Sequence, residues 1–122
     1  MALGKKMALE LPENSIVALS GELGSGKTTF TQGLALGLQI QELIQSPTFV
    51  LLNIYDDRLF HFDLYRIKDG SDFLAMGFEE YFTRGGICVI EWPEKIESLL
   101  PRHTTFIHFS YSQNQRTAVI RT

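Results

Sequence analysis

The feature that most constrains the fold is the segment GELGSGKTTF, which covers residues 21–30. It follows the apolar run IVALS, in which β-branched residues favour a buried strand. It leads into KTTFTQGLALGL, where apolar side chains recur along one face of a predicted helix. A glycine-rich loop between a strand and a helix is typical of a phosphate-binding P-loop. The fixed positions of that motif, G-x-x-x-x-G-K-[ST], are Gly21, Gly26, Lys27 and Thr28.

The chemistry of phosphate binding explains this spacing. Glycines allow the loop to wrap tightly, so that successive backbone N–H groups point at phosphate oxygens, and the N-terminus of the following helix attracts the same anion. Lys27 can reach the β- and γ-phosphates, and the hydroxyl of Thr28 can ligate Mg²⁺. The alternative is a glycine-rich turn without a ligand, but the flanking strand and helix favour phosphate binding.

The rest of the chain alternates between strand and helix patterns, which predicts an α/β protein: a P-loop NTPase-like three-layer fold with a mixed β-sheet flanked by helices. We expect one P-loop ATPase domain over residues 1–122, with β-hairpins around residues 56–58 and 113–115. The predicted strands cover residues 15–20, 48–55, 59–67, 87–92, 104–112 and 116–122. The predicted helices cover residues 1–11, 27–38, 71–82 with Ser71 as its cap, and a segment opened by Pro93.

Composition narrows the function classes. With 44% hydrophobic and 20% charged residues, the chain has the composition of a soluble globular protein. Its net charge of −3 and its scattered basic residues argue against binding nucleic acid by charge alone. Cys88 is the only cysteine and lies in an apolar run, which predicts a buried thiol in a reducing compartment. Without a signal peptide or an apolar run of about 18 residues, we expect a cytoplasmic protein that does not enter membranes.

Hydrolysis needs acidic groups in addition to a phosphate cradle. Glu91 directly follows the apolar run ICVI, and Asp63 follows LFHF in the same way, so each acid is expected at the end of a core strand. A structural salt bridge or a strand-end cap is the alternative for each. We predict that one carboxylate serves Mg²⁺ and the other positions the attacking water, and the sequence leaves open which does which.

The segment SPTF, residues 46–49, lies where nucleotide-sensing switches often occur. Pro47 biases Ser46 towards an extended conformation, and Thr48 offers a hydroxyl. One hypothesis is that Thr48 contacts Mg²⁺ or the γ-phosphate only in the triphosphate state. An ordinary loop leading into a strand is the alternative.

Two further side chains have open roles. Trp92 is either a core anchor or an exposed aromatic residue for a partner or a base. His61 is favoured as a hydrogen-bonded strand residue over a catalytic one. His103 and His108 lack metal-ligand partners at a useful spacing, so both are interpreted as non-functional.

Four blocks of the sequence, in this order, carry a resemblance: GELGSGKTTF, SPTF, HFDLYR at residues 61–66 and IEWPE at residues 90–94. They resemble the TsaE family, also called YjeE, over about residues 3–101. The family consists of small bacterial P-loop ATPases needed for the threonylcarbamoyl-adenosine modification beside the anticodon of tRNAs. The resemblance departs at the N-terminus, where family members usually carry further residues, and the C-terminal hairpin matches loosely.

The resemblance implies ATP and Mg²⁺ as ligands, weak ATP hydrolysis by the isolated protein, and work within a complex of TsaD and TsaB. TsaD would perform the transfer to tRNA, while this chain would reset or license that complex between turnovers. The phosphate cradle would run from Gly24 through Ser25, Gly26, Lys27 and Thr28 to Thr29. Thr28 and Glu91 would serve Mg²⁺, Asp63 would be essential for hydrolysis, and Lys27 would also be catalytic. The switch or partner candidates are Ser46, Thr48, His61, Tyr65, Arg66 and Trp92.

Alternatives to this function remain at the sequence level. The guanine-reading pattern Asn-Lys-x-Asp is absent, which favours ATP over GTP. A small-molecule kinase would need an acceptor pocket and an arginine-bearing lid, and residues 70–86 offer only Arg84. A non-enzymatic interaction module would bind ATP and tolerate the loss of Asp63 and Glu91. Contact with tRNA is expected through the complex rather than through a basic surface of this chain.

Overall fold

A computed structural model of the chain describes residues 1–21, 26–42, 51–112 and 115–122, and the structural statements below concern these residues. Within them, six strands form one mixed sheet. In chain order they are β1 (Ile16–Gly21), β2 (Leu52–Tyr55), β3 (Leu59–Asp63), β4 (Ile87–Glu91), β5 (Thr105–Ser112) and β6 (Gln115–Arg121).

The strand order across the sheet is β2-β3-β4-β1-β5-β6. The four central strands run parallel, whereas β2 pairs antiparallel with β3 and β6 pairs antiparallel with β5. Both predicted hairpins are therefore confirmed. Because the central strands are parallel, their carboxyl ends meet at one edge of the sheet, where ligands bind in open α/β folds.

Helices cover both faces of the sheet, so the predicted α/β architecture with a mixed sheet is confirmed. Successive side chains of each strand point to opposite faces. On one face, α1 (Ala2–Ala8) and α2 (Lys27–Gly37) pack over strand residues that include Leu19 and Val89. On the other face, α3 (Gly70–Ala75) and two 3₁₀ segments cover a cluster rich in phenylalanine. The buried thiol of Cys88 belongs to this second cluster, as predicted.

The prediction of one continuous helix over residues 71–82 is wrong. The chain forms α3, breaks at Gly77, and continues as a 3₁₀ segment over Phe78–Thr83. Gly77 has φ 72°, a left-handed conformation that ends a helix and that glycine adopts at little cost. The helical periodicity of the sequence therefore spans two short elements joined at a helix-terminating glycine.

The predicted Ser71 cap is also wrong. The capping side chain belongs to Asp69, whose Oδ1 accepts hydrogen bonds from the backbone N–H groups of Ser71 and Asp72 at 3.0 and 3.4 Å. An aspartate two and three residues before those N–H groups matches the geometry of an N-cap, while Ser71 already lies inside the helix.

The segment opened by Pro93 is helical, as predicted, but it is a 3₁₀ segment over Pro93–Leu99. Ile96 interrupts it with φ −131°, outside the helical region. Among the described residues, no helix has both the length and the apolar character that crossing a membrane requires.

Candidate functional site

The carboxyl edge of the sheet brings three of the predicted site residues together. Asp63, the last residue of β3, pairs in register with Glu91, the last residue of β4. Glu91 pairs in turn with Leu19 of β1, and Lys27 begins α2 a short distance beyond the end of β1. The two acids predicted at strand ends therefore lie beside the lysine of the P-loop motif.

Lys27 is held by several groups at this edge. Its Nζ donates a hydrogen bond to the carbonyl oxygen of Gly21 at 3.1 Å and lies 3.9 Å from Oε1 of Glu91. The ammonium group also lies 5.8 Å from the centroid of the Trp92 ring, within the range of a cation–π interaction. With 12% of the Lys27 side chain exposed, its charge is largely removed from solvent and available to a ligand at this edge.

Glu91 is fixed from the opposite side by His61. Nε2 of His61 lies 2.6 Å from Oε2 of Glu91, and the His61 side chain is fully buried. The prediction that His61 is a hydrogen-bonded strand residue is confirmed. Within the described part of the chain, Nδ1 of His61 is a buried polar atom without a hydrogen-bond partner.

Asp63 has an environment that favours its protonated form. Burial raises the pKa of its carboxyl above the usual value of 3.8, and the negative charge of Glu91 raises it further. The backbone N–H of Tyr65, which donates to Oδ1 of Asp63 at 3.1 Å, and the charge of Lys27 oppose this shift. A carboxylate with a raised pKa is suited to accept a proton during catalysis.

The predicted strand over residues 59–67 ends at Asp63 because the chain turns there. The hydrogen bond from the Tyr65 N–H to the Asp63 side chain is typical of a turn. The part of the predicted strand beyond Asp63, which includes Tyr65, is therefore wrong. Tyr65 and Arg66 instead lie beyond β3 and are exposed.

Two glycines of the motif have positive φ angles, 129° at Gly21 and 121° at Gly26. A Cβ atom on Gly21 would lie 2.1 Å from the carbonyl oxygen of Phe109 in the neighbouring strand β5, whereas one on Gly26 would make an ordinary contact with the Phe109 ring at 3.5 Å. Thr28 and Thr29 lie half-buried in the first turn of α2. The predicted residues Gly24, Ser25, Ser46 and Thr48 lie outside the described residues.

Trp92 is exposed at the rim of this edge, so the interpretation as a core anchor is wrong. It is 39% exposed, and its ring lies 5.0 Å from that of Tyr65, which is 61% exposed. Its φ of 61° turns the chain sharply after Glu91. β4 ends at Glu91, so Trp92 lies outside the buried strand.

A cavity of about 190 Å³ opens between Lys27 and Trp92. Sequence reasoning missed two of its lining residues, Ser20 and Glu94. Ser20 ends the apolar run before the motif, and Glu94 closes the IEWPE block, so both lie next to segments that were singled out. The signal that could have found them is their position at or just beyond the carboxyl ends of β1 and β4.

The donor set at this edge fits a magnesium ion that arrives with a nucleotide. Among the described residues, no three acidic, histidine or cysteine side chains cluster as a metal cage. Mg²⁺ seldom uses such a cage, because it keeps several waters and binds through one or two protein oxygens together with substrate phosphates. The Glu91 carboxylate and the Thr28 hydroxyl offer oxygens of this kind.

Comparison with known proteins identifies the family. The family profile described as "Threonylcarbamoyl adenosine biosynthesis protein TsaE" matches residues 1–119. The chain belongs to the TsaE family. The resemblance inferred from the four sequence blocks is thereby confirmed.

Individual relatives support this membership. The tRNA threonylcarbamoyladenosine biosynthesis protein TsaE of Treponema pallidum is 50% identical over 80% of this chain and 73% of the relative. The proteins of the same name from Bacillus subtilis and Haemophilus influenzae are 42% and 37% identical, and the matches cover 65% and 78% of their lengths. The crystal structure of Bacillus subtilis YdiB superposes with a TM-score of 0.79 at 33% identity, covering 96% of this TsaE-family chain and 74% of YdiB.

Proposed function

We propose that this chain binds ATP with Mg²⁺ and hydrolyses it, as an accessory ATPase in tRNA threonylcarbamoyladenosine biosynthesis. The observation that carries the proposal is the position of Lys27, whose ammonium lies between the Gly21 carbonyl and Glu91 at the carboxyl edge of the sheet. Its positive charge and the N-terminus of α2 would bind the polyphosphate together. Family membership independently supports the role in tRNA modification.

Glu91 and Thr28 would hold the magnesium ion. When bound, Mg²⁺ neutralises the negative charge that develops on the phosphate oxygens during phosphoryl transfer. Glu91 suits this role better than Asp63, because its carboxylate is held by His61 and directed towards Lys27.

Asp63 would act as the proton acceptor. The oxygen of a water molecule forms a bond to the γ-phosphorus while the bond from that phosphorus to the β–γ bridging oxygen breaks. ADP leaves with the electron pair of the broken bond, and Asp63 takes the proton that the attacking water loses. Two features support this assignment: Asp63 pairs in register with Glu91 at the edge where phosphate would bind, and burial raises the pKa of its carboxyl, which makes it a better proton acceptor than an ordinary aspartate.

We further propose TsaD and TsaB as the partners, with tRNA contacted through that complex. The net charge of −3 supports an indirect contact, because proteins that hold nucleic acid themselves usually present a concentrated positive surface. The exposed aromatic pair Tyr65 and Trp92 lies at the carboxyl edge of the sheet, beside the proposed nucleotide site, and offers apolar area to a partner.

The experiment has two steps. Calorimetry with ATP and ADP in the presence of Mg²⁺ tests binding, and ADP release with and without TsaB and TsaD tests hydrolysis. We expect Lys27→Ala to weaken triphosphate binding and abolish hydrolysis, and Asp63→Ala to bind normally without turnover. Glu79→Ala, which removes an exposed carboxylate on the 3₁₀ segment, is the matched control and should behave as wild type.

Different failures have different meanings. No heat with either nucleotide would refute nucleotide binding altogether. Normal turnover in Asp63→Ala would refute its role as proton acceptor, and normal tRNA modification in cells carrying this variant would favour a non-enzymatic interaction module. ADP release that depends on a small-molecule acceptor rather than on TsaB and TsaD would favour a kinase.

A further inference from the structure

The carboxylate of Glu91 has different partners at its two oxygens. Oε2 lies 2.6 Å from Nε2 of His61, and Oε1 is the oxygen that lies 3.9 Å from Nζ of Lys27. An ionised carboxylate only accepts hydrogen bonds, so the proton of this contact belongs to Nε2 of the imidazole. His61 is therefore a donor to Oε2, and Oε1 is left to face the proposed phosphate site.

The partnerless Nδ1 atom supports the same tautomer. With the proton on Nε2, Nδ1 is a buried acceptor that has no partner among the described residues. The opposite tautomer would bury an N–H donor without a partner and would also place the lone pair of Nε2 against a carboxylate oxygen. The Nε2 tautomer therefore makes the 2.6 Å contact with Glu91 a hydrogen bond. The atom without a partner among the described residues is then an acceptor rather than an N–H donor.

His61 is also held rigidly. It lies in β3 between β2 and β4, pairing in register with Asn53 on one side and Val89 on the other, and none of its side chain is exposed. A side chain packed in the interior of a sheet has few alternative rotamers. The orientation of the imidazole is thus fixed by the fold, and it transmits that orientation to Glu91.

We propose that His61 is the positioning residue of Glu91: by holding Oε2, it presents Oε1 to the magnesium ion of the nucleotide complex. This inference rests on the proposed function, since it assigns a purpose to Glu91 within it. Donors behind metal-binding carboxylates and histidines typically change metal affinity by about 10- to 100-fold when they are removed. His61 itself does not contact the nucleotide in this proposal.

The test measures the gain in affinity for a non-hydrolysable ATP analogue when EDTA is replaced by Mg²⁺. We expect His61→Leu to reduce this gain by about tenfold or more and to leave the affinity in EDTA unchanged. His61→Gln can still offer an N–H donor to Oε2 and should recover part of the gain. In a Glu91→Gln background, His61→Leu should have no further effect on the gain, because its only route to the metal has been removed.

Leu59→Val is the matched control for loosening of the core. Leu59 is buried on the same strand and the same face as His61, and it pairs in register with Ile87, four residues before Glu91. This variant should keep the wild-type gain. An equal loss in Leu59→Val and His61→Leu would overturn the proposal, as would an unchanged gain in His61→Leu or an additive loss in the Glu91→Gln background.

A measurement on the wild-type protein covers the case in which His61→Leu does not fold. Long-range ¹H–¹⁵N spectra should show the proton on Nε2 of His61, both without nucleotide and with the Mg²⁺–analogue complex. A proton on Nδ1 together with none on Nε2, in either state, would overturn the proposal. Absence of any nucleotide binding by wild type would refute the proposed function, while the spectrum of the free protein would still test the His61–Glu91 contact. Equal binding in Mg²⁺ and EDTA would overturn the metal role of Glu91 and the assignment of His61 with it.

Discussion

Alanine substitutions at the two glycines of the P-loop motif should affect different properties. Gly21→Ala should mainly lower the stability of the fold, and Gly26→Ala should mainly weaken nucleotide binding. At Gly21, a Cβ atom would lie 2.1 Å from the Phe109 carbonyl oxygen, so the Gly21→Ala variant must push β5 away from β1. At Gly26, the same atom would meet the Phe109 ring at 3.5 Å, which is normal contact. Both positions have a positive φ that alanine adopts only with strain.

The magnitudes follow from these contacts. Backbone strain at a positive φ costs about 1–3 kcal/mol, and this term applies to both variants. Forcing atoms into a packed region adds about 1–3 kcal/mol, and this term applies to Gly21→Ala alone. We therefore expect the free energy of unfolding to fall by roughly 2–6 kcal/mol in Gly21→Ala and by roughly 1–3 kcal/mol in Gly26→Ala.

Nucleotide affinity should follow the opposite order. Gly26 precedes the first turn of α2, where backbone N–H groups would bind phosphate, so a strained alanine there displaces those donors. The loss of one hydrogen bond to a charged group, about 1.5–3 kcal/mol, corresponds to at least about a tenfold weaker affinity. Gly21→Ala should lose less affinity than this in its folded fraction.

Urea denaturation without nucleotide, followed by titration of ADP under native conditions, measures both quantities. Equal stability losses for the two variants would show that the close approach of β5 is not what requires glycine at position 21. A smaller affinity loss for Gly26→Ala than for Gly21→Ala would contradict the placement of phosphate at the start of α2.

Three further predictions concern ionisable groups. Because burial raises the pKa of Asp63, ATP turnover should fall with decreasing pH earlier than an ordinary aspartate would allow, as a pH–rate profile would reveal. The same shift means that ionised Asp63 weakens the fold, so Asp63→Asn should be more stable than wild type at neutral pH. This difference in stability should shrink as the pH falls from the raised native pKa of Asp63 towards 3.8. Urea denaturation of both proteins at several pH values measures it, and a difference that does not change with pH would argue against the shift. Burial raises the pKa of the Cys88 thiol to about 12, so Ellman's reagent should react with it only after unfolding in guanidinium, and rapid reaction in the native protein would contradict its burial.

The sequence predicted the parts of the site that depend on local order. The strand β1, the helix α2, and the placement of Asp63 and Glu91 at strand ends follow from short-range hydrophobic patterns and from the geometry of parallel strands. The family followed from the motifs themselves, and the profile match over residues 1–119 confirms it.

The features that sequence reasoning missed depend on contacts across the fold. The bond between His61 and Glu91 joins residues 30 positions apart and exists only because β3 and β4 are neighbours in register. The break at Gly77 was hidden because apolar residues continue on both sides of it. The exposure of Trp92 could not be deduced from its apolar neighbours, because it depends on where β4 ends and how the chain turns.

The left-handed backbone of Trp92 has an evolutionary consequence. A bulky residue at φ 61° costs roughly 1–2 kcal/mol relative to glycine, which adopts this conformation freely. Directed evolution for heat resistance alone should therefore drift towards glycine or asparagine at this position. Selection for growth that depends on the tRNA modification should instead retain an aromatic ring beside Lys27. Sequencing position 92 in the two selected populations would then distinguish the residue that stabilises the fold from the residue that the function requires.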